Sequence, residues 1–130
     1  MIYRTSRAPA PPGPFNQAVR VDDTLYISGQ IGVVLGTSQL ADSLADQVHL
    51  IFRYLDEILR VAGARLSNVI KTTVYLSNMS DFADVNAIYA SYFPDNQPAR
   101  AAFEVNYGNK RKVDCDNLNS GWKTSSWSSS

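Results

Sequence analysis

The fold class is decided by residues 44–62, LADQVHLIFRYLDEILRVA. Apolar side chains recur in this stretch at steps of three and four residues, which places them in one wide stripe along a helix. The stripe consists of Leu44, Val48, Ile51, Phe52, Leu55, Ile58, Leu59 and Ala62. Asp42 or Ser43 can cap the start of this helix, and Gly63 can end it. So much apolar surface must pack against another layer, and the flanking sequence predicts that this layer is a sheet.

Three strands are predicted before the helix. Residues 1–5 form a short edge strand, and residues 8–14, APAPPGP, form a stiff loop because proline fixes φ and has no N–H donor. Residues 19–22 and 24–28 alternate or are β-rich around an acidic turn, which predicts a hairpin. We expect the second hairpin strand to end at Ser28-Gly29-Gln30, where glycine permits close backbone approach.

The chain after the helix continues with β and α patterns. Residues 69–76, VIKTTVYL, predict a strand, and a second helix begins near Ser80. A strand that contains Arg100 and a last strand at residues 112–116 complete the order β-β-β-α-β-α-β-β. This order predicts a single α+β domain over residues 1–120, with two helices on one face of a mixed sheet, and a disordered tail at 121–130.

The other face of the sheet also needs cover. The apolar strand residues Ile27, Val74, Leu76 and Phe103 are too many for all of them to point at two helices. We therefore expect another copy of the chain to pack there.

Composition excludes several classes of function. Lysine plus arginine and aspartate plus glutamate both number 12 in 130 residues, so no net charge draws the chain to nucleic acid or to a membrane surface. No apolar run approaches the roughly 18 residues of a membrane span. One cysteine and one histidine cannot form a disulfide or a Cys/His metal site, and no phosphate-binding or dinucleotide motif is present. We expect no metal or cofactor, and a cytoplasmic location, with a mitochondrial one as the alternative.

The candidate functional residue is Arg100, within QPARAAFEV at 97–105. A guanidinium in an apolar strand is costly to bury unless it meets an anion, because its charge cannot be removed by titration. Asp114 and Asp116 stand two positions apart on the last strand, and Ser28-Gly29 marks another strand end. An arginine and a carboxylate across a small pocket suit a carboxylated substrate attacked by water. The alternatives are a structural salt bridge between the same groups, or a surface arginine at a strand end.

Five stretches in register resemble the RidA/YjgF family. They are GPFNQAV at 13–19, ISGQI at 27–31, VIKTTVYL at 69–76, DFADVNAIY at 81–89 and PAR at 98–100. The resemblance implies a chorismate-mutase-like α+β domain that forms a homotrimer with clefts between subunits. It also implies hydrolysis of reactive 2-imino acids to 2-keto acids and ammonia, without a metal or cofactor.

The resemblance also assigns roles to individual residues. Arg100 matches the arginine that holds the substrate carboxylate, and Asp114 matches a late catalytic glutamate after a deletion of one residue. Substrate-binding positions are matched by Phe15, Ser28, Gly29, Asn86 and Ala102. Phe15 stands where the family usually has a tyrosine, and Ala102 stands where many members have a cysteine.

The resemblance weakens after Val105. The segment 106–112 replaces an apolar turn of the family, and residues 117–119 replace its final apolar strand. The expected function is therefore an imine deaminase that the altered carboxyl end impairs. Two alternatives stay open: an endoribonuclease that inhibits translation, and a trimer that binds small molecules without catalysis. The balanced charge and the lack of a basic stripe argue against the ribonuclease.

Overall fold

The computed structural model describes residues 1–95, 97–108 and 112–121, with the backbone alone for Asp114 and residues 116–121. The predicted order of strands and helices is confirmed. The elements are β1 (Ile2–Tyr3), β2 (Ala18–Val21), β3 (Thr24–Ile31), α1 (Leu44–Val61), β4 (Lys71–Leu76), α2 (Phe82–Tyr92), β5 (Ala99–Glu104) and β6 (Val113–Gly121). Single 3₁₀ turns at Leu66–Asn68 and Met79–Asp81 precede β4 and α2.

The strands form one mixed sheet in the order β1-β2-β3-β6-β4-β5. Only β4 and β5 are parallel among the described pairs, and α2 is the crossover that such a pair requires. Both helices pack on one face, and the core lies between them and the sheet. Its sheet side consists of Leu25, Ile27, Val74, Leu76, Val113 and Cys115. The α+β class and the placement of both helices are therefore confirmed.

The caps of α1 follow the sequence. The Ser43 hydroxyl accepts a hydrogen bond from the backbone N–H of Asp46 at 3.0 Å, which satisfies one of the unpaired donors of the first turn. Gly63 follows the last turn with φ of 79°, a left-handed conformation that glycine adopts without steric cost.

Several predicted strand boundaries are wrong. β1 covers Ile2–Tyr3 rather than residues 1–5, and β2 covers Ala18–Val21 rather than 19–22. β3 does not end at Ser28 but runs to Ile31, because Ser28 and Gly29 together oppose one residue of β6 in a β-bulge. β4 begins at Lys71 rather than Val69, since Val69 caps the 3₁₀ turn and its N–H donates to the Leu66 carbonyl. β6 extends past residue 116 to Gly121, which pairs with Thr24.

The predicted tail lies mostly beyond what the structure covers. Gly121, the first residue of that tail, is the last of β6. Residues 122–130 lie outside the described residues, so the division of the chain into a domain and a tail stays a prediction.

The second face of the sheet exposes apolar side chains, but only one of the four residues that were expected to need cover lies there. Ile27, Val74 and Leu76 all point into the core, and only Phe103 of the four points away. Phe103 is 53% exposed, and its ring stacks on Tyr75 with the centroids 6.3 Å apart. Tyr26 and Val21 are exposed on the same face. An apolar surface without cover within the described chain therefore remains on this face.

Gly32 allows α1 to approach the sheet closely. A Cβ atom at Gly32 would lie 2.4 Å from the Cα atom of Gln47, which is closer than two non-bonded carbon atoms can approach. The buried Gln47 amide donates to the Ala41 carbonyl at 3.1 Å and accepts from the Val113 N–H at 3.2 Å. Gln47 thereby joins α1 to β6, and this contact requires glycine at position 32.

No helix within the described part of the chain is long and apolar enough to cross a membrane.

Replacing Gly32 with alanine should destabilise the protein. The added methyl group must displace the α1 backbone at Gln47, and such overpacking costs about 2 kcal/mol of unfolding free energy. Urea denaturation at a fixed protein concentration measures this loss. Gly13→Ala is the matched control, because its Cβ would lie 3.5 Å from the nearest Phe15 ring carbon, an ordinary contact. Equal denaturation midpoints for the two variants would show that the close approach at Gly32 is not required.

Candidate functional site

Four of the predicted site residues line two separate clefts of the chain. The first cleft has a volume of about 380 Å³, and Phe15 and Gly29 line it together with prolines 9, 11 and 12. The second has a volume of about 360 Å³ and is lined by Arg100, Asn86, Tyr89 and Pro98, among others. We call them the Phe15 cleft and the Arg100 cleft.

The buried Gln17 side chain fixes one wall of the Phe15 cleft. Its Oε1 accepts a hydrogen bond from the Thr5 N–H at 2.7 Å. Its Nε2 donates to the carbonyls of Thr5, Ala8 and Pro9 at 3.1, 3.3 and 2.9 Å. A proline-rich segment can satisfy few of its own carbonyls, so this amide supplies the missing donors. Sequence reasoning missed Gln17. A polar glutamine directly before the apolar strand Ala18–Val21 was a signal for such a role.

Ser28 positions the residue next to Phe15. Its hydroxyl donates to the Asn16 carbonyl at 2.6 Å, and its backbone N–H donates to the Gln17 carbonyl at 2.9 Å. Phe15 itself is 48% exposed at the cleft edge. The structure therefore places Phe15, Ser28 and Gly29 close together. The hydroxyl proton of Ser28 is used to hold the loop.

Arg100 and Asn86 also lie together. Nη1 of Arg100 donates to Oδ1 of Asn86, and the guanidinium carbon lies 5.2 Å from the Phe82 ring centroid and 4.8 Å from the Tyr89 centroid. Phe82 and Tyr89 were not among the predicted site residues. Their spacing from Asn86, four residues before and three after, puts all three side chains on one face of the helix and could have predicted this cluster.

The charge of Arg100 has no carboxylate partner among the described residues. An ion pair described within that part of the chain joins Arg60 and Asp56 of α1 at 3.0 Å and does not involve Arg100. The structural salt bridge that was the alternative role for Arg100 is therefore not formed with any carboxylate that the structure describes. Arg100 is exposed, and its polar contact is the neutral Asn86 amide. This arrangement leaves the cation available to an anionic ligand.

The Tyr89 hydroxyl is not a candidate base. It lies 2.6 Å from the Thr72 hydroxyl in the protein interior. Burial raises the pKa of Tyr89 above its usual value, while the Thr72 hydrogen bond and the Arg100 charge act in the opposite direction. The phenol therefore stays protonated at neutral pH.

Asp114 does not lie near Arg100 in the same chain. Asp114 pairs with Ile31 of β3 and Tyr75 of β4, whereas Arg100 pairs with Thr72. Two strand spacings and three residues along the strand separate their backbones, about 14 Å in a sheet. Asp114 is instead the neighbour of Ile31, which lines the Phe15 cleft.

Ala102 lines neither cleft. It pairs with Val74 and packs, partly buried, against the core. Its predicted role in substrate binding stays a prediction. Within the described residues no group of histidine, cysteine or acidic side chains could hold a metal ion.

The two clefts are too far apart for one small substrate. Ser28 and Gly29 lie in β3, Arg100 lies in β5, and β6 and β4 stand between them. Three strand spacings amount to about 14 Å. One chain therefore presents two separate clefts, one with a cation that meets no carboxylate among the described residues and one with mainly apolar walls.

Comparisons with known proteins agree with this architecture. The profile of the family described as endoribonuclease L-PSP matches residues 5–114. The mouse protein named 2-iminobutanoate/2-iminopropanoate deaminase is 46% identical over 105 residues, which cover 80% of this chain and 78% of that protein.

Two solved structures are similar in fold. RidA from an Antarctic Psychrobacter bacterium superposes with a TM-score of 0.84 at 34% identity, covering 91% of this chain and 97% of that one. TdcF from E. coli with bound serine superposes with a TM-score of 0.79 at 28% identity, covering 91% and 98%. The family profile matches most of this chain, and the solved structures share its fold. This chain therefore belongs to the RidA/YjgF family, with its chorismate-mutase-like α+β fold.

Proposed function

We propose that this protein hydrolyses reactive 2-imino acids to 2-keto acids and ammonia, with Arg100 binding the substrate carboxylate. The observation that carries the proposal is the exposed Arg100 guanidinium, fixed by Asn86 and without a carboxylate partner among the described residues. A planar fork of this kind binds a carboxylate through two parallel hydrogen bonds. The activity named for the mouse, rat and human relatives supports the same substrate class.

The complete site is proposed to form between two copies of the chain in a homotrimer. The Arg100 cleft of one copy would face the Phe15 cleft of the next, because the two clefts of one chain are about 14 Å apart. The exposed apolar face around Phe103 and Tyr26 supplies the surface on which the copies pack. A trimer built in this way would contain three equivalent sites.

The proposed reaction needs only water and proton transfers. Water adds to the imine carbon, the C–N bond of the resulting carbinolamine breaks, and ammonia leaves as the carbonyl forms. Arg100 neutralises the carboxylate and fixes its orientation. Asp114, whose neighbour Ile31 lines the Phe15 cleft, accepts each proton of the attacking water in turn and passes it to the nitrogen that leaves as ammonia. Hydrolysis of the imine changes no oxidation state, so this reaction requires no redox cofactor.

The family description raises ribonuclease activity as a second candidate. The chain carries equal numbers of basic and acidic residues, 12 each, which gives no field to attract an RNA backbone. Incubation with a single-stranded RNA at low salt tests this candidate directly.

A third candidate is a protein that binds a small molecule in the same cleft without converting it. The rate at which the imine substrate decays distinguishes this candidate from the deaminase. A cytoplasmic location stays a prediction.

Arg100→Lys should lower kcat/KM about tenfold or more for 2-iminobutanoate generated by a threonine dehydratase. Lysine keeps the charge but loses the two-pronged geometry, and tenfold corresponds to about 1.4 kcal/mol of transition-state binding. The decay of the imine is followed with and without the protein. Arg4→Lys, at an exposed arginine near the amino terminus, is the matched control and should match the unmodified protein. Unchanged turnover in a folded Arg100→Lys protein would remove Arg100 from the site.

The protein should have three times the mass of the 14.4 kDa chain in light scattering at micromolar concentration. Phe103→Glu should shift this mass toward the monomer, because it places a charge in the apolar packing face. Val61→Glu changes an apolar residue of α1 that is exposed away from the sheet, and should leave the mass unchanged. A monomer mass for the unmodified protein would contradict the intersubunit site.

Asp114→Glu combined with Phe15→Tyr should raise the deaminase activity. Aspartate is one methylene shorter than glutamate, and a proton acceptor must come within about 2.6–3.2 Å of its partner or of a bridging water. The tyrosine hydroxyl would order that water, so the effects of the two changes should be non-additive. The double variant and each single variant are compared at equal trimer concentration. A double variant no faster than the unmodified protein would show that Asp114 is not the proton acceptor.

A further inference from the structure

We propose that Tyr89 and Phe82 are positioning residues, whose rings hold the Arg100 guanidinium in the orientation that presents its free edge to the substrate carboxylate. This inference rests on the proposed carboxylate-binding role of Arg100 and adds the residues that would determine how well Arg100 performs it.

The aromatic contacts come from one face of α2. The Arg100 guanidinium carbon lies 4.8 Å from the Tyr89 ring centroid and 5.2 Å from that of Phe82. Both distances are within the roughly 6 Å over which an aromatic face attracts a cation. Asn86 lies between them on the helix and accepts the Nη1 hydrogen bond. Three side chains of one helix face therefore determine where the guanidinium lies.

The ring contacts leave the hydrogen-bonding edge of Arg100 available. An aromatic ring contacts the flat face of a guanidinium, whereas carboxylates bind along its edge, where the N–H groups point. Arginine has five N–H donors, and Asn86 takes one from Nη1. The edge formed by Nε and Nη2 makes no polar contact with the residues that the structure describes. This edge matches the paired geometry of a carboxylate.

Tyr89 is held more rigidly than Phe82. Its hydroxyl lies 2.6 Å from the hydroxyl of Thr72, which is fully buried on β4 and pairs in register with Arg100. Its ring centroid lies 5.0 Å from that of Phe93 and 5.7 Å from that of Phe52. Phe82 is only partly buried. Tyr89 should therefore contribute more than Phe82 to the position of Arg100, and its ring should matter more than its hydroxyl.

The test is a double-mutant cycle on imine hydrolysis. Tyr89→Leu removes the ring and should raise KM for 2-iminobutanoate about fivefold, with a smaller change in kcat. Phe82→Leu should raise KM by about twofold to threefold and, at a partly buried position, keeps the fold testable if Tyr89→Leu does not fold. Tyr89→Phe keeps the ring and should restore KM to near the unmodified value. In an Arg100→Lys background, neither leucine change should raise KM further.

Tyr92→Leu is the matched control for a purely structural effect. Tyr92 lies on the same helix and stacks on Phe52 with the centroids 4.3 Å apart, but makes no described contact with Arg100. Its loss should lower thermal stability without changing KM. Unchanged KM in both Phe82→Leu and Tyr89→Leu would overturn the inference, and so would equal increases in KM in the unmodified and Arg100→Lys backgrounds.

The same measurements separate failure of this inference from failure of the proposed function. If Arg100→Lys itself leaves kcat/KM unchanged, the carboxylate-binding role is wrong and the positioning role is overturned with it. If Arg100→Lys lowers kcat/KM and the ring variants do not raise KM, only the positioning role is overturned.

Discussion

The permanent charge of Arg100 is the constraint on which the site depends. An arginine cannot lose its proton at any physiological pH, so the fold must hold its charge by other means. Here a neutral amide and two aromatic rings hold it, and the described part of the chain supplies no carboxylate. Such contacts orient a cation without neutralising it. The positive charge of Arg100, which a structural salt bridge would have neutralised, thus remains available to bind an anionic ligand.

Sheet topology keeps the two clefts of one chain apart. The parallel pair of β4 and β5 puts Arg100 at one edge strand, beside α2. The bulge in β3 puts Ser28 and Gly29 under the proline-rich loop, and β6 and β4 separate the two positions. Asp114 pairs in register with Ile31, which lines the Phe15 cleft. A second copy that brings the other cleft opposite Arg100 would join a cation, an apolar wall and an acid.

The sequence predicted the order of elements because periodicity and caps act locally. The apolar stripe of α1 repeats at every turn of the helix. Ser43 and Gly63 each lie within about one turn of the helix end that they terminate. The bulge at Ser28 could not be predicted, since it depends on pairing with β6, almost ninety residues away. The same limit applies to β6, whose nine-residue length comes from strands on both sides of it. The grouping of Arg100 with Asn86 came from resemblance. The rings around Arg100 were missed, although the spacing of Phe82 and Tyr89 from Asn86 was a local signal for them.

The most direct test of the central claim is complementation between subunits. Phe15→Glu places a carboxylate in one cleft, where it would repel the substrate, and Arg100→Ala removes the cation from the other. Each variant alone should be nearly inactive. When the two are co-refolded in equal amounts, about a quarter of the intersubunit sites should combine an intact Phe15 cleft with an intact Arg100 cleft, which predicts roughly a quarter of the unmodified activity. A mixture no more active than its parents, in trimers shown to contain both chains, would contradict a site formed between subunits.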